Sequence, residues 1–465
     1  MKGIKMKKTD IFSDEISKFI AKTNYEDIPQ AAIDIARMGI TDFVGVALAG
    51  SKEDLCEILH RYVQKMGGNS QASIIGSGYK TSTYQAALVN GAIGHALDYD
   101  DWSMAFYGHP TVSIAPAILA VGESIGASGR DILTAYVIGF EVCACIPWLV
   151  KKNHYDQGWH ITGTLGSIGA AAATSWLLNL NVEQIKMSMG IAASLASGIR
   201  ANNGTMTKPL HAGQAAANGI QAVLLAQSGY TARENIFEVE RGFIKAFGHN
   251  EIVDWKEITK NLGKTFIITN AEGLLIKPYP SCGGTHFAID AVLDIKKNYE
   301  FSLDDILEIE LGVNPVAELP LIYHRPKTGL QGKFSLEYTV ARALISGPVN
   351  LDHFTDEMVN QPEVLSLIDK MKWVVKFPMP SQGSFTEFDP KSVLIKLKDG
   401  REIYKEVLIS KGMRDNPLTP EEFKLKYTNC ASKVLSNEKV AKSFEMLSNL
   451  QEIEDINDLM KVVIR

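Results

Sequence analysis

The chain has 465 residues, of which 46% are hydrophobic and 22% charged, and this ordinary globular composition excludes a disordered, collagen-like or coiled-coil protein. The net charge of −6 at pH 7 implies no broad basic surface and argues against nucleic acid as a partner. At about 100–200 residues per domain, the length allows two or three domains.

The first half of the chain predicts one helix after another, because apolar residues recur at three- and four-residue spacing. Several of these helices are apolar nearly all round and rich in alanine, glycine and serine, as in Gly163, Gly166 and Gly169. We therefore expect them to be buried and closely packed. The predicted helices are 10–23, 27–48, 81–97, 111–125, 131–150, 162–178, 182–199 and 209–228.

No stretch approaches the ~20 apolar residues of a membrane helix, and the basic N-terminus lacks the apolar region of a secretory signal. We therefore expect no membrane association. The cysteines are few and scattered, which predicts reduced thiols and a cytoplasmic protein. They are Cys56, Cys143, Cys145, Cys282 and Cys430.

The pattern changes near residue 268, where β-strand signals begin to alternate with helices. Strands are predicted at 306–313, 373–377, 392–397 and 402–409, and helices at 285–297 and 336–345. Asp399-Gly400 predicts a hairpin with a type I′ turn. We predict a mainly α protein with a smaller α+β domain: residues 1–268 and 410–465 form an all-helical domain, and residues 269–409 form the smaller domain.

Polar side chains first interrupt the apolar pattern at residues 94–101 and at His109. Three acidic residues, beginning with Asp98, follow a predicted buried helix together with an imidazole. Such groups are costly to bury unless they are paired or functional. The structural alternative is that Asp100 and Asp101 only cap the next segment.

His160 is predicted to stand at the N-terminus of an alanine- and glycine-rich helix. The helix dipole there disfavours the imidazolium form, which leaves a neutral ring that can accept a proton. The structural alternative is a capping or packed histidine.

Lys208 is predicted to lie at the start of another helix, with Pro209 as its first residue. The helix dipole disfavours a cation at this end, and an anionic ligand would remove the conflict. His211 follows on the first turn and is a candidate substrate ligand. The structural alternative for Lys208 is a solvent-exposed side chain.

The fourth segment runs from Lys277 to His286. Gly283 and Gly284 precede a helix start, and with Lys277 as counter-charge they predict a nest of backbone N–H groups that binds a carboxylate. Cys282 is a candidate proton donor if its pKa is lowered there. The structural alternative for Cys282 is a small packed residue.

These segments combine imidazoles and lysines with helix N-termini, a set that suits small polycarboxylate substrates. A neutral histidine removes a proton from the carbon beside a carboxylate, and Lys208 or Lys277 stabilises the enolate-like charge. No glycine-rich nucleotide-binding pattern follows a predicted strand, and no residue set has metal-site spacing. We therefore predict neither a cofactor nor a metal.

Taken together, the segments 94–101 with 109–110, 158–160, 207–213 and 277–282 resemble the MmgE/PrpD family. The resemblance spans most of the chain. It implies a large all-helical domain made of the N- and C-terminal portions and a smaller α+β lid domain. It also implies a homodimer that needs no organic cofactor.

The resemblance further implies an active site, residue by residue. Tyr323 belongs to it because this tyrosine precedes Arg325-Pro326 in a similar setting. The implied site residues are Asp98, His109, His160, Lys208, Lys277 and Tyr323.

In the implied mechanism, His160 or His109 is the acid or base at the carbon α to a carboxylate. Lys208 and Lys277 bind carboxylates and stabilise the intermediate, and Asp98 orients or charges an imidazole. The predicted function is a cofactor-independent lyase that acts on a small di- or tricarboxylate, as in cis-aconitate decarboxylation or 2-methylcitrate dehydration.

The sequence leaves several alternatives open, because loss of carbon dioxide, loss of hydroxide and reprotonation on the opposite face share one carbanion-like step. An epimerase of the iminodisuccinate type is therefore the alternative within the same chemistry. A non-catalytic helical dimeric scaffold and a metal-dependent hydro-lyase are the alternatives from other classes.

Overall fold

A computed structural model describes residues 12–146, 148–248, 254–315, 321–377 and 391–465. The predicted class, mainly α with a smaller α+β part, is confirmed. The chain folds into two units. The first unit comprises the described residues up to Ala96, Asp101–Leu274 and Lys424–Arg465, and the second comprises Leu97–Asp100 and Leu275–Phe423. The domain limits at 268/269 and 409/410 remain predictions from the sequence pattern.

The part of the chain up to Leu275 is largely helical. Its helices are α1 (Phe12–Lys22), α2 (Gln30–Gly50), α3 (Asp54–Met66), α4 (Thr83–His95), α5 (Thr111–Ile125), α6 (Gly129–Ala144), α7 (Trp148–Asp156), α8 (Ile161–Leu177), α9 (Val182–Leu195), α10 (Thr207–Gln227), α11 (Phe243–Gly248) and α12 (Trp255–Thr259). Its strands are only two residues long: β1 (Ala72–Ser73), β2 (Lys80–Thr81), β3 (Trp102–Ser103) and β4 (Leu274–Leu275).

The remainder of the chain alternates helices with longer strands and then returns to helix. The helices are α13 (His286–Asn298), α14 (Gly329–Gly332), α15 (Leu336–Ser346), α16 (Asp356–Val359), α17 (Pro362–Ile368), α18 (Pro420–Ala431), α19 (Asn437–Ser448) and α20 (Asn457–Val462). The strands are β5 (Ile306–Val313), β6 (Met371–Val375), β7 (Lys391–Leu397) and β8 (Glu402–Val407).

Side-chain caps mark the start of several helices in the first unit. The Ser128 hydroxyl accepts the Asp131 N–H at the start of α6, and the Asn181 amide oxygen accepts the Gln184 N–H at the start of α9. In both cases the third residue returns a bond to the cap, which is a capping box. The predicted helix 131–150 is wrong in its length, because α6 ends at Ala144 and α7 is a separate helix.

Small residues let the helices of the first unit approach closely. A Cβ atom added to Gly213 on α10 would lie 2.0 Å from the carbonyl oxygen of Leu88 on α4. One added to Gly91 on α4 would lie 2.7 Å from the Cα of Gly213. These two glycines therefore set the distance between α4 and α10. Among the described residues, no helix is long and apolar enough to cross a membrane.

The second unit is built on a four-stranded sheet in the order β6-β5-β7-β8. β5 pairs in parallel with β6 and antiparallel with β7, and β7 pairs antiparallel with β8. Ile309 on β5 is paired with Ile395 on the adjacent strand β7, and both are buried in the core of this unit. α13 and α15 supply the facing apolar side chains, including Val292 and Val340.

The hairpin predicted at Asp399-Gly400 joins β7 to β8, but the predicted type I′ turn is wrong. Gly400 has a φ of +88°, whereas Asp399 does not adopt a positive φ. The Gly400 N–H donates to the Leu397 carbonyl at 3.0 Å, and the Leu397 N–H donates to the Arg401 carbonyl at 2.9 Å. This pattern is a three-residue loop, in which one left-handed residue suffices.

Candidate active site

Four histidines of the first unit form a row of neighbouring rings, which we call the imidazole cluster. The ring centres are 4.6 Å apart from His109 to His95, 5.8 Å from His95 to His160, and 5.2 Å from His160 to His211. Each of these residues lies at or near the end of a helix: His95 ends α4, His109 lies two residues before α5, His160 directly precedes α8, and His211 is near the start of α10. Converging helix ends therefore assemble the cluster.

The backbone fixes the tautomer of His109. Its Nδ1 lies 2.8 Å from the carbonyl oxygen of Asp101, and because a carbonyl only accepts, Nδ1 carries the proton. The backbone N–H of His109 donates to the Thr162 hydroxyl at 3.1 Å, which holds the residue against α8. In the neutral form of this tautomer, Nε2 is the acceptor nitrogen of the ring.

His160 occupies the N-cap position of α8, but its side chain does not cap the helix. Its backbone N–H donates to the Gly198 carbonyl at 3.0 Å. Burial, followed by the other imidazoles and Lys208, holds the pKa of His160 well below its usual range. The predicted neutral ring thus owes its neutrality mainly to burial rather than to the helix dipole, and it is a base at pH 7.

His211 contacts His160 directly. Their Nδ1 atoms are 3.1 Å apart, so one must donate and the other accept. Burial, with a smaller contribution from Lys208, lowers the pKa of His211 to about 4. Both rings are therefore neutral at pH 7, and a single proton between the two Nδ1 atoms satisfies the contact.

Lys208 is the second residue of α10, and only 6% of it is exposed. The alternative of a solvent-exposed lysine is therefore wrong. Pro209 is the third residue of the helix and not the first, because α10 already begins at Thr207. An anion bound here would be favoured both by the charge of the buried lysine and by the N-terminus of the helix.

A buried ion pair lies in the second unit, and we call it the lysine–aspartate pair. The Lys277 ammonium donates to the Asp98 carboxylate at 3.1 Å and to the Asp98 carbonyl at 2.9 Å. Both side chains are 4% exposed. Asp98 has a φ of +50°, a conformation that only a few non-glycine residues adopt and that often marks functional sites.

Charge is retained in this pair. Burial alone would lower the pKa of Lys277, but Asp98, Asp100 and Cys282 together outweigh it and raise the pKa above the usual lysine value. Lys277 is therefore a charged ammonium at pH 7, as required of a carboxylate ligand.

Cys282 and Gly283 follow Lys277 on the same loop and are buried. Gly283 begins a 3-10 turn that ends at Thr285, whose N–H donates to the Cys282 carbonyl at 2.9 Å. The Cys282 thiol lies near enough to influence the Lys277 ammonium. The roles of Cys282 as proton donor and of Gly283 in substrate binding remain predictions.

Tyr323 is the last of the site residues predicted from the sequence. Tyr323 is half-buried against the core of the second unit, and its N–H donates to the Phe334 carbonyl at 3.3 Å. Its catalytic role remains a prediction.

His95 was missing from the predicted site although it is 1% exposed and lies between two site histidines. The signal was its position three residues before Asp98 in the same motif.

The fold and these residues define a class. A mainly helical unit carries neutral buried imidazoles beside a buried lysine, and an α+β unit carries a buried lysine–aspartate pair. These two sets of side chains are suited to acid–base chemistry on small anionic molecules.

The chain belongs to the MmgE/PrpD family. The MmgE/PrpD N-terminal domain matches residues 14–256, and the MmgE/PrpD C-terminal domain matches residues 279–452. The resemblance seen in the four sequence segments is thereby confirmed.

Several characterised relatives are similar over most of their length. The chain is 28% identical to the cis-aconitate decarboxylase-like protein oryM of Aspergillus oryzae over 473 residues, covering 97% of this chain and 96% of that protein. It is 26% identical to the cis-aconitate decarboxylase of Mus musculus, covering 91% and 87%. It is 24% identical to the mitochondrial 2-methylcitrate dehydratase of Yarrowia lipolytica, covering 84% and 78%.

Proposed function

We propose that this protein is a lyase that acts on a small di- or tricarboxylate, with cis-aconitate and 2-methylcitrate as the first candidates. The observation that carries the proposal is the neutral His160 ring beside His211 and the buried Lys208. The names of the relatives support the same class of reaction. Cis-aconitate is the stronger candidate, because the decarboxylases are the more similar relatives.

The proposed step is proton transfer at the carbon next to a carboxylate. His160 is neutral at pH 7 and so can take a proton from carbon or, once protonated, return one to it. The Nε2 atom of His109 is a second acceptor, because its Nδ1 is committed to the Asp101 carbonyl. In decarboxylation the carbon–carboxylate bond breaks, carbon dioxide leaves, and the electron pair left on carbon takes a proton from one of these imidazoles.

The lysines are proposed to hold carboxylates and to stabilise developing negative charge. Lys208 combines its own charge with the N-terminal dipole of α10. Lys277 keeps its charge through Asp98, and that partner also fixes the ammonium in place. Tyr323 is proposed to take part in the same reaction on the strength of the family resemblance, and Cys282 is proposed as a proton donor because it lies near Lys277 and a helix start.

The test is to incubate the purified protein with cis-aconitate, 2-methylcitrate and citrate in deuterated water and follow the products by NMR. We expect carbon dioxide release, or loss of water, with one solvent deuteron on the product carbon of the decarboxylation. Deuterium uptake into unreacted acid without loss of either group would instead indicate an epimerase. No reaction and no binding with any acid would contradict the proposal.

Two histidine variants test whether His160 takes part in the reaction. His160→Gln is expected to lower kcat about 10²–10⁴-fold, the usual contribution of an acid–base group. His60→Gln is the matched control, because His60 lies on α3, where its ring packs against Tyr79. Equal activity of the two variants would remove His160 from the mechanism.

We also propose that the protein is a homodimer and acts in the cytoplasm. The family resemblance supports the dimer, and light scattering on the purified protein measures it. The five cysteines, all among the described residues, form no disulfide, which supports a reducing compartment. One relative is named as mitochondrial, so fractionation of cells that carry a tagged chain is the deciding measurement.

A further inference from the structure

Another buried lysine lies in the second unit, outside the residues discussed so far. Lys333 follows α14 directly and is 4% exposed. Its ammonium donates to the Leu97 carbonyl at 2.7 Å and to the Pro280 carbonyl at 2.9 Å. The ring of Phe354 lies under the same nitrogen at 4.4 Å.

The two carbonyls belong to the two segments that carry the lysine–aspartate pair. Leu97 immediately precedes Asp98, and Pro280 lies between Lys277 and Cys282. The main chain of Lys333 adds a third bond, because its carbonyl accepts the Cys282 N–H at 2.9 Å. One residue thus holds both segments on which the pair depends.

The nature of the contact favours a positively charged donor. Backbone carbonyls bind an ammonium more strongly than a neutral N–H, and one ammonium can donate in several directions. Asp98 needs such restraint because its backbone adopts a φ of +50°. A lysine that served packing alone would not need to meet a carbonyl from each segment.

We propose that Lys333 is a positioning residue, which holds the Leu97–Asp100 and Lys277–Gly283 segments together so that Asp98 and Lys277 keep their hydrogen-bonded geometry. The proposal rests on the function proposed above. It adds a residue that does not touch the substrate but determines where the Lys277 ammonium stands.

The first test is kinetic and uses Lys333→Met, which keeps the bulk of the side chain and removes the donor. A displacement of a catalytic group by about 1 Å costs about 100-fold in rate, so we expect kcat/KM to fall by about that factor. Once Asp98 moves away, Lys277 loses the interaction that raises its pKa, so the alkaline limb of the pH profile should move to lower pH. Asp98, Asp100 and Cys282 are the groups acting on Lys277.

Leu344→Ala is the matched control for lost stability. Leu344 on α15 is buried in the core of the same unit and has no part in the lysine–aspartate pair. It should lower the melting temperature at least as far as Lys333→Met while leaving kcat/KM and the pH profile of the folded fraction unchanged. A Lys333→Met enzyme with an unshifted pH profile and wild-type kcat/KM would overturn the proposal.

The second test does not need turnover and so separates this proposal from the proposed function. A crystal structure of Lys333→Met is expected to show the 3.1 Å Lys277–Asp98 contact lengthened or lost. An unchanged contact and an unchanged Asp98 φ would overturn the proposal even if no substrate had been found. If Lys333→Met does not fold, the same measurements on Lys333→Gln apply, because its shorter neutral side chain cannot reach both carbonyls.

Discussion

The first unit keeps His160 and His211 neutral, whereas the second keeps Lys277 charged. In the imidazole cluster, burial and mutual repulsion hold the pKa of His160 well below its usual range. In the lysine–aspartate pair, neighbouring negative groups outweigh burial and raise the pKa of Lys277. His160 thus avoids the cost of burying a charge by losing its proton, whereas Lys277 offsets that cost by pairing with a carboxylate.

This difference assigns separate tasks. A neutral imidazole can accept a proton near pH 7, whereas a paired ammonium keeps its proton, so the proposed mechanism places proton transfer in the first unit and charge stabilisation in the second. Lys208 is the exception, because it places a cation among neutral rings. It lowers the pKa of both His160 and His211, and so it helps to keep the bases unprotonated.

Lys277→Met is expected to have the largest effect. Activity should fall about 10³-fold, as when a charge-stabilising donor is removed. The free energy of unfolding should fall by about 3–5 kcal/mol, because the buried Asp98 carboxylate loses its cation. Chemical denaturation and steady-state kinetics on one preparation measure both quantities.

Lys208→Met is the comparison variant for that prediction. It should lose a similar factor in activity, but its free energy of unfolding should stay the same or rise, because it removes a cation from a helix N-terminus. Equal stability losses in the two variants would contradict the distinction between Lys277, whose charge is stabilised by the buried Asp98 carboxylate, and Lys208, whose charge lies at a helix N-terminus.

Gly213→Ala is expected to be a damaging small change in the first unit. The new Cβ would meet the Leu88 carbonyl at 2.0 Å, so α10 must move away from α4. We expect a loss of about 3 kcal/mol in the free energy of unfolding, with lower activity because α10 carries Lys208 and His211. Gly78→Ala is the control, since nothing lies within 4 Å of its added Cβ. A Gly213→Ala protein as stable as Gly78→Ala would show that the two helices are not in close contact.

Much of the helical part of the fold follows from periodicity. α5 was predicted at its observed limits, and so was β5, because each has a regular apolar pattern between clear turn signals. The break between α6 and α7 was missed although the sequence has a proline at position 147, because the apolar pattern continues on both sides of that proline. The turn type at Asp399-Gly400 was missed because dipeptide preference does not reveal loop length, which depends on the register of β7 and β8.

The candidate site was predictable where a residue belongs to a motif. His109, His160, Lys208 and Lys277 each stand in a distinctive polar segment, whereas Lys333 has no such neighbours in sequence. Its contacts join segments 236 and 53 residues away. Long-range contacts of this kind depend on tertiary packing, and no local pattern encodes them.

Acid should weaken the folded state through histidines of the first unit. Burial lowers the pKa of His154 to about 4, and its Nε2 contacts the Thr164 hydroxyl at 2.7 Å. Between pH 6.5 and 4 the unfolded chain binds a proton that the folded chain does not, so the free energy of unfolding falls as the pH falls. Lys277 does not change the pH dependence of the free energy of unfolding between pH 6.5 and 4, because it is charged in both the folded and the unfolded chain.

His154→Gln isolates this contribution. At pH 7 the variant should be less stable than the wild type by about 1 kcal/mol for the lost hydrogen bond. At pH 4 it should have gained about 3 kcal/mol relative to the wild type, because one titrating group is gone. Urea unfolding at several pH values measures the difference, and a constant difference from pH 7 to 4 would contradict a neutral buried His154.

Gly400→Ala is expected to have the smallest effect and distinguishes the use of glycine in the two units. Nothing lies within 4 Å of a Cβ at Gly400, so the cost comes only from its φ of +88°. That conformation costs an L-residue about 1 kcal/mol. Gly400→Asn should lose less, because asparagine tolerates left-handed backbone better. Urea unfolding should therefore rank the wild type above Asn and Asn above Ala. If Ala lost as much as Gly213→Ala does, packing and not backbone conformation would be the reason for glycine in this hairpin.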